Sequence, residues 1–351
     1  MRTVHGGLDT SELRELGLEP EAVTDFSSNI NPLGTAERVR QAAADADLSA
    51  YPDRDCLVLR ETLAERLGVG RDHLLVGNGS TELIHLLARA RLREGAACLI
   101  FEPTFGEYEA AAALAGAIIR RVAAQEADDF CWSIESAERI IRRLRPDLVF
   151  LCNPNNPTGL YLDRERVERI QTAIGPGSLL VLDDAYVSLT EHRWDSVQLL
   201  DTGNVVILRS MTKEHALAGA RLGYMAAKPE LIEDVRRFQP AWSVNAVALS
   251  AGLAALEDEQ HIEAARQVIG PAKAYLYSQF TAMGLEFTPS ATNFLLARVG
   301  DARNVRADLL RRGFAVRDCA SFGLPEHIRI AVRRREECEQ LVSAMRQVLG
   351  R

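Results

Sequence analysis

The chain has 351 residues, of which 47% are hydrophobic and 26% are charged, which is enough to bury a large core in about two domains. Its net charge of −8 argues against nucleic acid or another polyanion as a partner. No stretch reaches the roughly 20 apolar residues that span a bilayer, and the first residues lack the apolar core of a signal peptide. The six cysteines include no C-x-x-C pair, so the sequence predicts no metal site and a cytoplasmic location.

Nearly continuous apolar runs alternate with amphipathic helical segments in the middle of the chain. Runs of this kind are typical of a parallel sheet that is buried on both faces. The fold class is therefore predicted as α/β, with a large domain in which helices cover both faces of a mostly parallel sheet. Ligands of such sheets bind beyond the carboxyl ends of the strands. The predicted strands are residues 73–77, 97–103, 147–154, 178–186, 204–210 and 223–227.

The pattern changes after residue 245. An alanine-rich helix (VALSAGLAALED) precedes a helix that is predicted to restart near Pro271. Two short strands (NFLLARV and HIRIAV) then surround a helix (RNVRADLLRRG), and a last helix ends the chain, which together predict a smaller α/β domain. The predicted units are an N-terminal segment (1–45) that packs with the small domain, a large domain (46–245) and the small C-terminal domain (246–351).

Unusual residues follow the first three strands. NGST (78–81) places glycine and hydroxyl groups at a helix start, which suits a phosphate, although serine and threonine also cap ordinary helices. In TFGEY, Phe105 and Tyr108 are either core residues or, for Phe105, a flat surface for a ring. NPNNPTG (153–159) makes a rigid loop whose spare Asn side chains can bind a ligand oxygen.

Charged residues follow the next two strands. Asp183 ends an apolar strand, where a carboxylate needs a cation, either a salt-bridge partner or a protonated ring nitrogen. Tyr186 can point its hydroxyl group into the same cleft. Lys213, in RSMTKEHALAGARLGY, is placed where a lysine with a lowered pKa forms a Schiff base with a carbonyl. The neighbouring groups that suit a phosphate are Ser210, Thr212 and Arg221.

A stacking ring, a carboxylate for a ring nitrogen, a phosphate cradle and a Schiff-base lysine together describe a pyridoxal 5′-phosphate (PLP) site. Near the C-terminus, HIRIAVR places Arg329 and Arg333 on one face of a strand, where an arginine fork can bind a carboxylate. Either arginine could instead be a solvated surface charge. His5, with the Gly6–Gly7 amides, and Arg317 are candidates for a second anion site, although His5 could be a flexible terminal residue.

These residues resemble the fold type I aminotransferase superfamily of PLP enzymes over nearly the whole chain. The resemblance implies that Lys213, Asp183 and Tyr186 are catalytic and that the enzyme is a homodimer with shared active sites, in which Tyr51 reaches the partner's cofactor. The cofactor residues it implies are Tyr51, Gly79, Ser80, Thr81, Phe105, Asn156, Asp183, Tyr186, Ser210, Thr212, Lys213 and Arg221. The substrate residues it implies are His5, Gly6, Asn31, Asn156, Arg317, Arg329 and Arg333.

Two branches of the superfamily fit the motifs. HGG, DFSSNINPLG, WSVNA and RIAVR resemble the L-threonine-O-3-phosphate decarboxylases of cobalamin biosynthesis, whereas Ser80, Glu214 and His215 depart from them. The expected reaction is PLP-dependent decarboxylation of O-phospho-L-threonine to (R)-1-amino-2-propanol phosphate. The alternative is a histidinol-phosphate aminotransferase or a related enzyme that acts on a small phosphorylated substrate with 2-oxoglutarate. A third hypothesis is that the chain has the fold of these PLP enzymes but no catalytic activity, and serves as a binding or regulatory protein.

Overall fold

The structure, a computed structural model, describes residues 5–351. Three sheets contain the strands, and helices surround them. The strands are β1 (Thr24–Asp25), β2 (Leu74–Asn78), β3 (Ala97–Glu102), β4 (Ile118–Ala123), β5 (Leu148–Cys152), β6 (Leu179–Asp183), β7 (Val205–Ser210), β8 (Leu222–Ala226), β9 (Phe287–Thr288), β10 (Phe294–Arg298), β11 (Phe314–Ala315), β12 (Arg317–Asp318) and β13 (His327–Ala331). The α-helices are α1 (Thr10–Leu16), α2 (Glu37–Ala44), α3 (Leu57–Leu67), α4 (Gly79–Arg91), α5 (Glu107–Leu114), α6 (Ile134–Leu144), α7 (Arg164–Ala173), α8 (Met211–Glu214), α9 (Pro229–Arg236), α10 (Ala246–Leu256), α11 (Glu259–Ala282), α12 (Ala302–Arg311) and α13 (Arg335–Leu349).

The largest sheet has seven strands in the order β2-β8-β7-β6-β5-β3-β4. β8 runs antiparallel to both of its neighbours, and the other pairs are parallel. All six predicted strands of this region are present. The seventh, β4, was not predicted because it is an edge strand whose side chains are mostly exposed, so it lacks the apolar run of a buried strand.

Helices cover both faces of this sheet, which confirms the predicted fold class. Along β3, Leu99 and Phe101 pack into the core beneath α3, α6, α7 and α10. Cys98 and Ile100 point to the opposite face and pack with α4, α5 and α9. This alternation follows from the two-residue period of a strand, and because both faces are buried, both sets of side chains are apolar.

The second sheet has four antiparallel strands in the order β12-β13-β10-β9, and its core lies against α11, α12 and α13. The predicted restart near Pro271 is wrong, because α11 continues through this proline as one helix of 24 residues. β1 pairs in parallel with β11 in a separate two-stranded sheet, and so ties the N-terminal segment to the chain that directly precedes β12 of the small sheet. The domain boundaries at residues 45 and 245 stay a prediction. In the structure, α10 packs against α2 and α3 beside the large sheet.

Two parts of the fold therefore face one another. The carboxyl ends of β5, β6 and β7 lie on one side, and β13 with the segment that follows β1 lies on the other. Within residues 5–351 no helix is long and apolar enough to cross a membrane.

Candidate active site

A cavity of about 410 Å³ lies between these two parts of the fold. Most of the residues that the sequence placed in an active site line it. These are His5, Gly6, Ser80, Thr81, Phe105, Asn156, Asp183, Tyr186, Ser210, Thr212, Lys213, Arg221, Arg317 and Arg329. Gly7, whose amide was a candidate for the second anion site, also lines the cavity. Residues not predicted for the site line it as well, namely Ser27, Ser28, Asn29, Ile30, Tyr108, Cys152, Ala185, Ala218 and Phe322.

Lys213 lies in the short helix α8, directly after β7, and its side chain lines the cavity. Burial, together with the nearby cations Arg329 and Arg221, lowers the pKa of its ammonium group to about 8. Such a lysine has a neutral, nucleophilic amine at a pH where an ordinary lysine is charged. Asn31 fixes the backbone here: its N–H donates to the carbonyl of Lys213 at 2.9 Å, and its Nδ2 donates to the carbonyl of Glu214 at 2.9 Å.

Asp183 ends β6 and is buried at the floor of the cavity. Its Oδ2 accepts a hydrogen bond from the hydroxyl group of Tyr108 at 2.7 Å, and its Oδ1 accepts one from the N–H of Ala185 at 3.0 Å. Burial raises the pKa of this carboxyl to about 6, although both hydrogen bonds and the cation Lys213 oppose the rise. The carboxylate is thus held ready for a cationic partner inside the cavity.

The N-terminus of α4 forms a cradle for an anion. Gly79 begins the helix with φ of 76°, and a Cβ atom there would lie 2.8 Å from Nη2 of Arg221. The first N–H groups of a helix have no partner within the helix, and they carry the positive end of its dipole. Ser80 and Thr81 line the cavity at this end. The hydroxyl groups of Ser210 and Thr212, 2.7 Å apart, lie in the same wall.

Arg329 of β13 dominates the opposite wall and is 4% exposed. Its Nη1 donates to Oδ1 of Asn156, and its Nη2 donates to the carbonyl of Ser27 at 2.6 Å. Among residues 5–351, its buried Nε has no hydrogen-bond partner, and neither does Oδ1 of Asn29. A guanidinium fixed by two neighbours, with a free N–H, is suited to a planar carboxylate.

Gly6 lies against this arginine. A Cβ atom at Gly6 would lie 2.2 Å from the carbonyl oxygen of Ser27 and 3.2 Å from Nη2 of Arg329. Because real Cβ atoms do not approach a carbonyl oxygen so closely, a side chain cannot fit here without moving the segment. The backbone of Gly6, in the HGG motif, therefore packs directly against the side chain of Arg329.

His5 and Arg317 line the mouth of the cavity. The ring of His5 lies 5.6 Å from that of Phe105, and its Nε2 lies 2.8 Å from Oε1 of Glu107. Arg317 is buried, donates from Nη2 to Oγ of Ser321 at 2.6 Å, and places its guanidinium over a phenylalanine ring. Arg317 thus places a cation here, in addition to the arginines beside Lys213.

Four predicted residues are not among those that line the cavity, namely Gly79, which begins α4 as described above, and Asn31, Arg333 and Tyr51. Asn31 supports α8 from behind, as described above. Arg333 follows the end of β13, where it donates to the carbonyl of Asp25 at 3.2 Å and pairs with Glu337 at 2.7 Å. Tyr51 is 81% exposed and stacks on Trp242, with the ring centroids 4.7 Å apart.

The sequence reasoning missed Tyr108 and Asn29. Tyr108 was seen at a strand end, but nothing in the local pattern links it to a carboxylate 75 residues later in the chain. Asn29 lies in DFSSNINPLG, which entered only through a resemblance. In the structure its Nδ2 donates to the hydroxyl group of Tyr186 at 3.5 Å.

The groups around this cavity fit PLP. The helix N-terminus with Arg221 and neighbouring hydroxyl groups suits its phosphate, and Asp183 suits its ring nitrogen. The absence of a side chain at Gly79 leaves Arg221 in the cradle. Lys213 supplies the amine for its carbonyl group. The fold and the site together define a PLP-dependent enzyme of fold type I.

The chain belongs to the aminotransferase class I and II family, whose model matches residues 21–345. It is 39% identical over 344 residues to a histidinol-phosphate aminotransferase of Symbiobacterium thermophilum, covering 96% of this chain and 93% of that protein. These findings confirm the predicted superfamily, and PLP is the cofactor of the protein.

Two solved structures illustrate the likeness. A histidinol-phosphate aminotransferase of Sinorhizobium meliloti in complex with PLP superposes with a TM-score of 0.89 at 26% identity, covering 98% of this chain and 95% of that one. An L-threonine-O-3-phosphate decarboxylase of Porphyromonas gingivalis superposes with a TM-score of 0.78 at 26% identity, covering 93% of this chain and 99% of that one. The comparisons support the expected decarboxylation less well than the alternative, amino transfer.

Proposed function

We propose that the protein is an aminotransferase that moves the amino group of a small phosphorylated substrate to 2-oxoglutarate, with histidinol phosphate as the first substrate to test. Full-length relatives that are named histidinol-phosphate aminotransferase, at 37% and 39% identity, support this reading. They favour it over the decarboxylation of O-phospho-L-threonine that the sequence motifs suggest.

The observation that carries the proposal is that two regions besides the cradle at α4 each place an arginine on the cavity, Arg329 in one and Arg317 in the other. The buried guanidinium of Arg329, held by Asn156, suits the carboxylate of a keto acid or amino acid. His5 and Arg317 at the mouth suit the phosphate of the other substrate. An enzyme that uses a phosphorylated amine and a dicarboxylic keto acid in turn needs both kinds of site.

The roles of the residues follow from this arrangement. Bound PLP supplies an electron sink for the bond that breaks at Cα of the substrate. We assign to Nζ of Lys213 the transfer of the Cα proton, because its lowered pKa leaves part of the amine neutral near pH 7. When PLP is bound, Asp183 would accept a hydrogen bond from the protonated ring nitrogen, Phe105 would stack on the ring, and Tyr186 and Asn156 would bind the phenolic oxygen.

The test supplies the PLP-loaded protein with histidinol phosphate and 2-oxoglutarate and measures glutamate by mass spectrometry. We expect glutamate in proportion to time and enzyme, and no sustained turnover when 2-oxoglutarate is left out. The proposal is overturned if this mixture gives no glutamate while O-phospho-L-threonine alone releases CO2 catalytically.

Decarboxylation of O-phospho-L-threonine is the second candidate. The observation that favours it is the contact between Gly6 of the HGG motif and Arg329, since this motif resembles the decarboxylase branch. A segment that presses on the arginine can set the angle of a bound carboxylate relative to the cofactor ring. Formation of 1-amino-2-propanol phosphate without any keto acid would establish this reaction.

We propose in addition that two copies of the chain form a homodimer through the surface around Tyr51 and Trp242. These exposed aromatic rings stack on each other, and Arg54 lies over Trp242. The nearby Leu48 and Val58 are 77% and 57% exposed, and such an apolar surface indicates a partner. Light scattering coupled to gel filtration tests this: a mass near 77 kDa, twice 38.7 kDa, supports the dimer, and 38.7 kDa contradicts it. The cytoplasmic location stays a prediction.

A further inference from the structure

Tyr108 lies directly behind the cofactor site, although it is not among the residues predicted for it. It belongs to the first turn of α5 and its side chain is fully buried. Its ring stacks on Phe150 of β5, with centroids 4.8 Å apart and planes 10° from parallel. Its ring also meets Phe105 edge-on at 5.7 Å. These contacts fix the direction in which its hydroxyl group points.

That hydroxyl group donates to Oδ2 of Asp183 at 2.7 Å. Among residues 5–351, the donors to this carboxylate are the hydroxyl group of Tyr108 and the N–H of Ala185, one for each oxygen. A buried phenol needs an acceptor and a buried carboxylate needs donors, so the pair satisfies both groups. The tyrosine is thus the one side chain that orients this carboxylate by a hydrogen bond within the described part of the chain.

We propose that Tyr108 is a positioning residue, which aims the Asp183 carboxylate at the ring nitrogen of PLP and stabilises its ionised form. The inference rests on the proposed role of Asp183 opposite that nitrogen. Because the same ring touches Phe105, Tyr108 also connects the carboxylate to the residue that would stack on the cofactor. Its side chain borders the cavity but is fully buried, and it would act through the Asp183 carboxylate.

The charged and titratable groups around Asp183 allow this contribution to be isolated. Cys152 of β5 and Tyr108 of α5 both have pKa values raised by burial, so they stay neutral between pH 5 and 7.5. The neighbouring Asp184 is paired with Arg209 at 3.1 Å. Lys213 of α8 is the nearby cation, and its pKa of about 8 lies above this window.

The test compares PLP affinity of wild type and Tyr108→Phe from pH 5 to 7.5, by equilibrium dialysis of the full-length apoprotein. The phenylalanine keeps both ring contacts and removes the hydroxyl group, with its hydrogen bond to Asp183 and its interaction with the Cys152 thiol. We expect the dissociation constant to rise about tenfold at pH 7, the effect of one hydrogen bond to a charged group. The matched control is Tyr224→Phe. Tyr224 is a buried tyrosine of β8, and its hydroxyl group donates neither of the two hydrogen bonds that Asp183 accepts. This variant should bind PLP as wild type does.

The pH profile separates this role from simple packing. The Asp183 carboxyl is ionised above its pKa of about 6, so wild-type affinity should fall as pH drops through that value. Loss of the hydrogen bond raises this pKa, so affinity in Tyr108→Phe should begin to fall at a higher pH. A uniform loss at every pH, with an unchanged profile, would show a packing role only and overturn the proposal.

A double-mutant cycle with Asp183→Asn completes the test. Once position 183 is neutral, Tyr108→Phe should cost little further affinity. Equal losses in the presence and absence of the carboxylate contradict the inference. If Asp183→Asn alone binds PLP like wild type, the proposed role of Asp183 fails instead, so the two failures can be told apart.

Discussion

The two walls of the active-site cavity are built in different ways. The cofactor wall consists of strand ends and the start of α4, and its key carboxylate, Asp183, has a donor on each oxygen. The opposite wall includes β13 and the segments at residues 5–7 and 27–30. It contains two polar atoms, Nε of Arg329 and Oδ1 of Asn29, that have no hydrogen-bond partner within residues 5–351. A wall whose carboxylate already has its hydrogen-bond donors suits a cofactor that stays bound. A wall with polar atoms that lack partners suits substrates that bind and dissociate in each turnover.

The largest effect is expected at Lys213, which lies between the two walls. Lys213→Ala removes the amine that binds the cofactor's carbonyl group and moves the substrate proton. We expect loss of turnover and of the visible cofactor absorbance, measured by rate assay and spectrum. Lys228→Ala, at an exposed lysine before α9, is the control and should keep both. Full activity of Lys213→Ala would contradict the assignment.

The substrate wall is probed by a pair of arginine replacements. Arg329→Lys keeps the charge but loses the fork, so KM for 2-oxoglutarate should rise between about tenfold and hundredfold. Arg333→Lys should change KM less than about twofold, because that arginine pairs with Glu337 outside the cavity. Steady-state kinetics checks both. If Arg333→Lys raises KM as much as Arg329→Lys, the sequence-based prediction for Arg333 is restored.

The cofactor wall is probed by a pair of glycine replacements. Both Gly79 and Gly68 have positive φ, at 76° and 67°, so alanine is strained at each. Only at Gly79 would the new Cβ atom meet Arg221, whereas at Gly68 it would enter open space. Gly79→Ala should raise the PLP dissociation constant about tenfold by displacing a charged phosphate contact. Gly68→Ala should cost about 1 kcal/mol of stability and leave PLP affinity unchanged.

The smallest effect concerns the coupling between the walls. The rate of PLP uptake by the apoprotein should rise with pH, because only the neutral amine of Lys213 reacts. The midpoint of this rise should lie at about 8, the lowered pKa of Lys213. Arg329→Met removes a nearby cation and should move this midpoint to higher pH, whereas Arg329→Lys should not. Stopped-flow absorbance measures the rate. A midpoint near 10.5 in the wild type, the ordinary lysine value, would show that burial does not act on this amine.

The sequence predicted the cofactor wall better than the substrate wall. Strand ends of a parallel sheet meet at one edge, so apolar runs followed by Asp183 and Lys213 could be assembled without a structure. Arg333 was assigned by strand alternation, but β13 ends at Ala331, and alternation does not apply beyond it. Contacts between distant segments, such as Tyr108 with Asp183 or Gly6 with Ser27, leave no periodic signal.

The edge strand β4 and the helix α11 both differ from what the local sequence pattern predicted. β4 is mostly exposed, so it lacks the apolar run that marked the buried strands. α11 passes through Pro271 because its buried side chains, such as Ile269 and Leu276, pack against the small sheet. Tertiary packing there outweighs the local cost of a proline.

The most direct test of the proposed amino transfer is a single-turnover experiment without a keto acid. PLP-loaded protein is mixed with excess histidinol phosphate, and the visible cofactor absorbance is followed. The account predicts that the band disappears with formation of one equivalent of keto product per site and returns when 2-oxoglutarate is added. A band that persists with histidinol phosphate, together with continuous CO2 release from O-phospho-L-threonine, would contradict it.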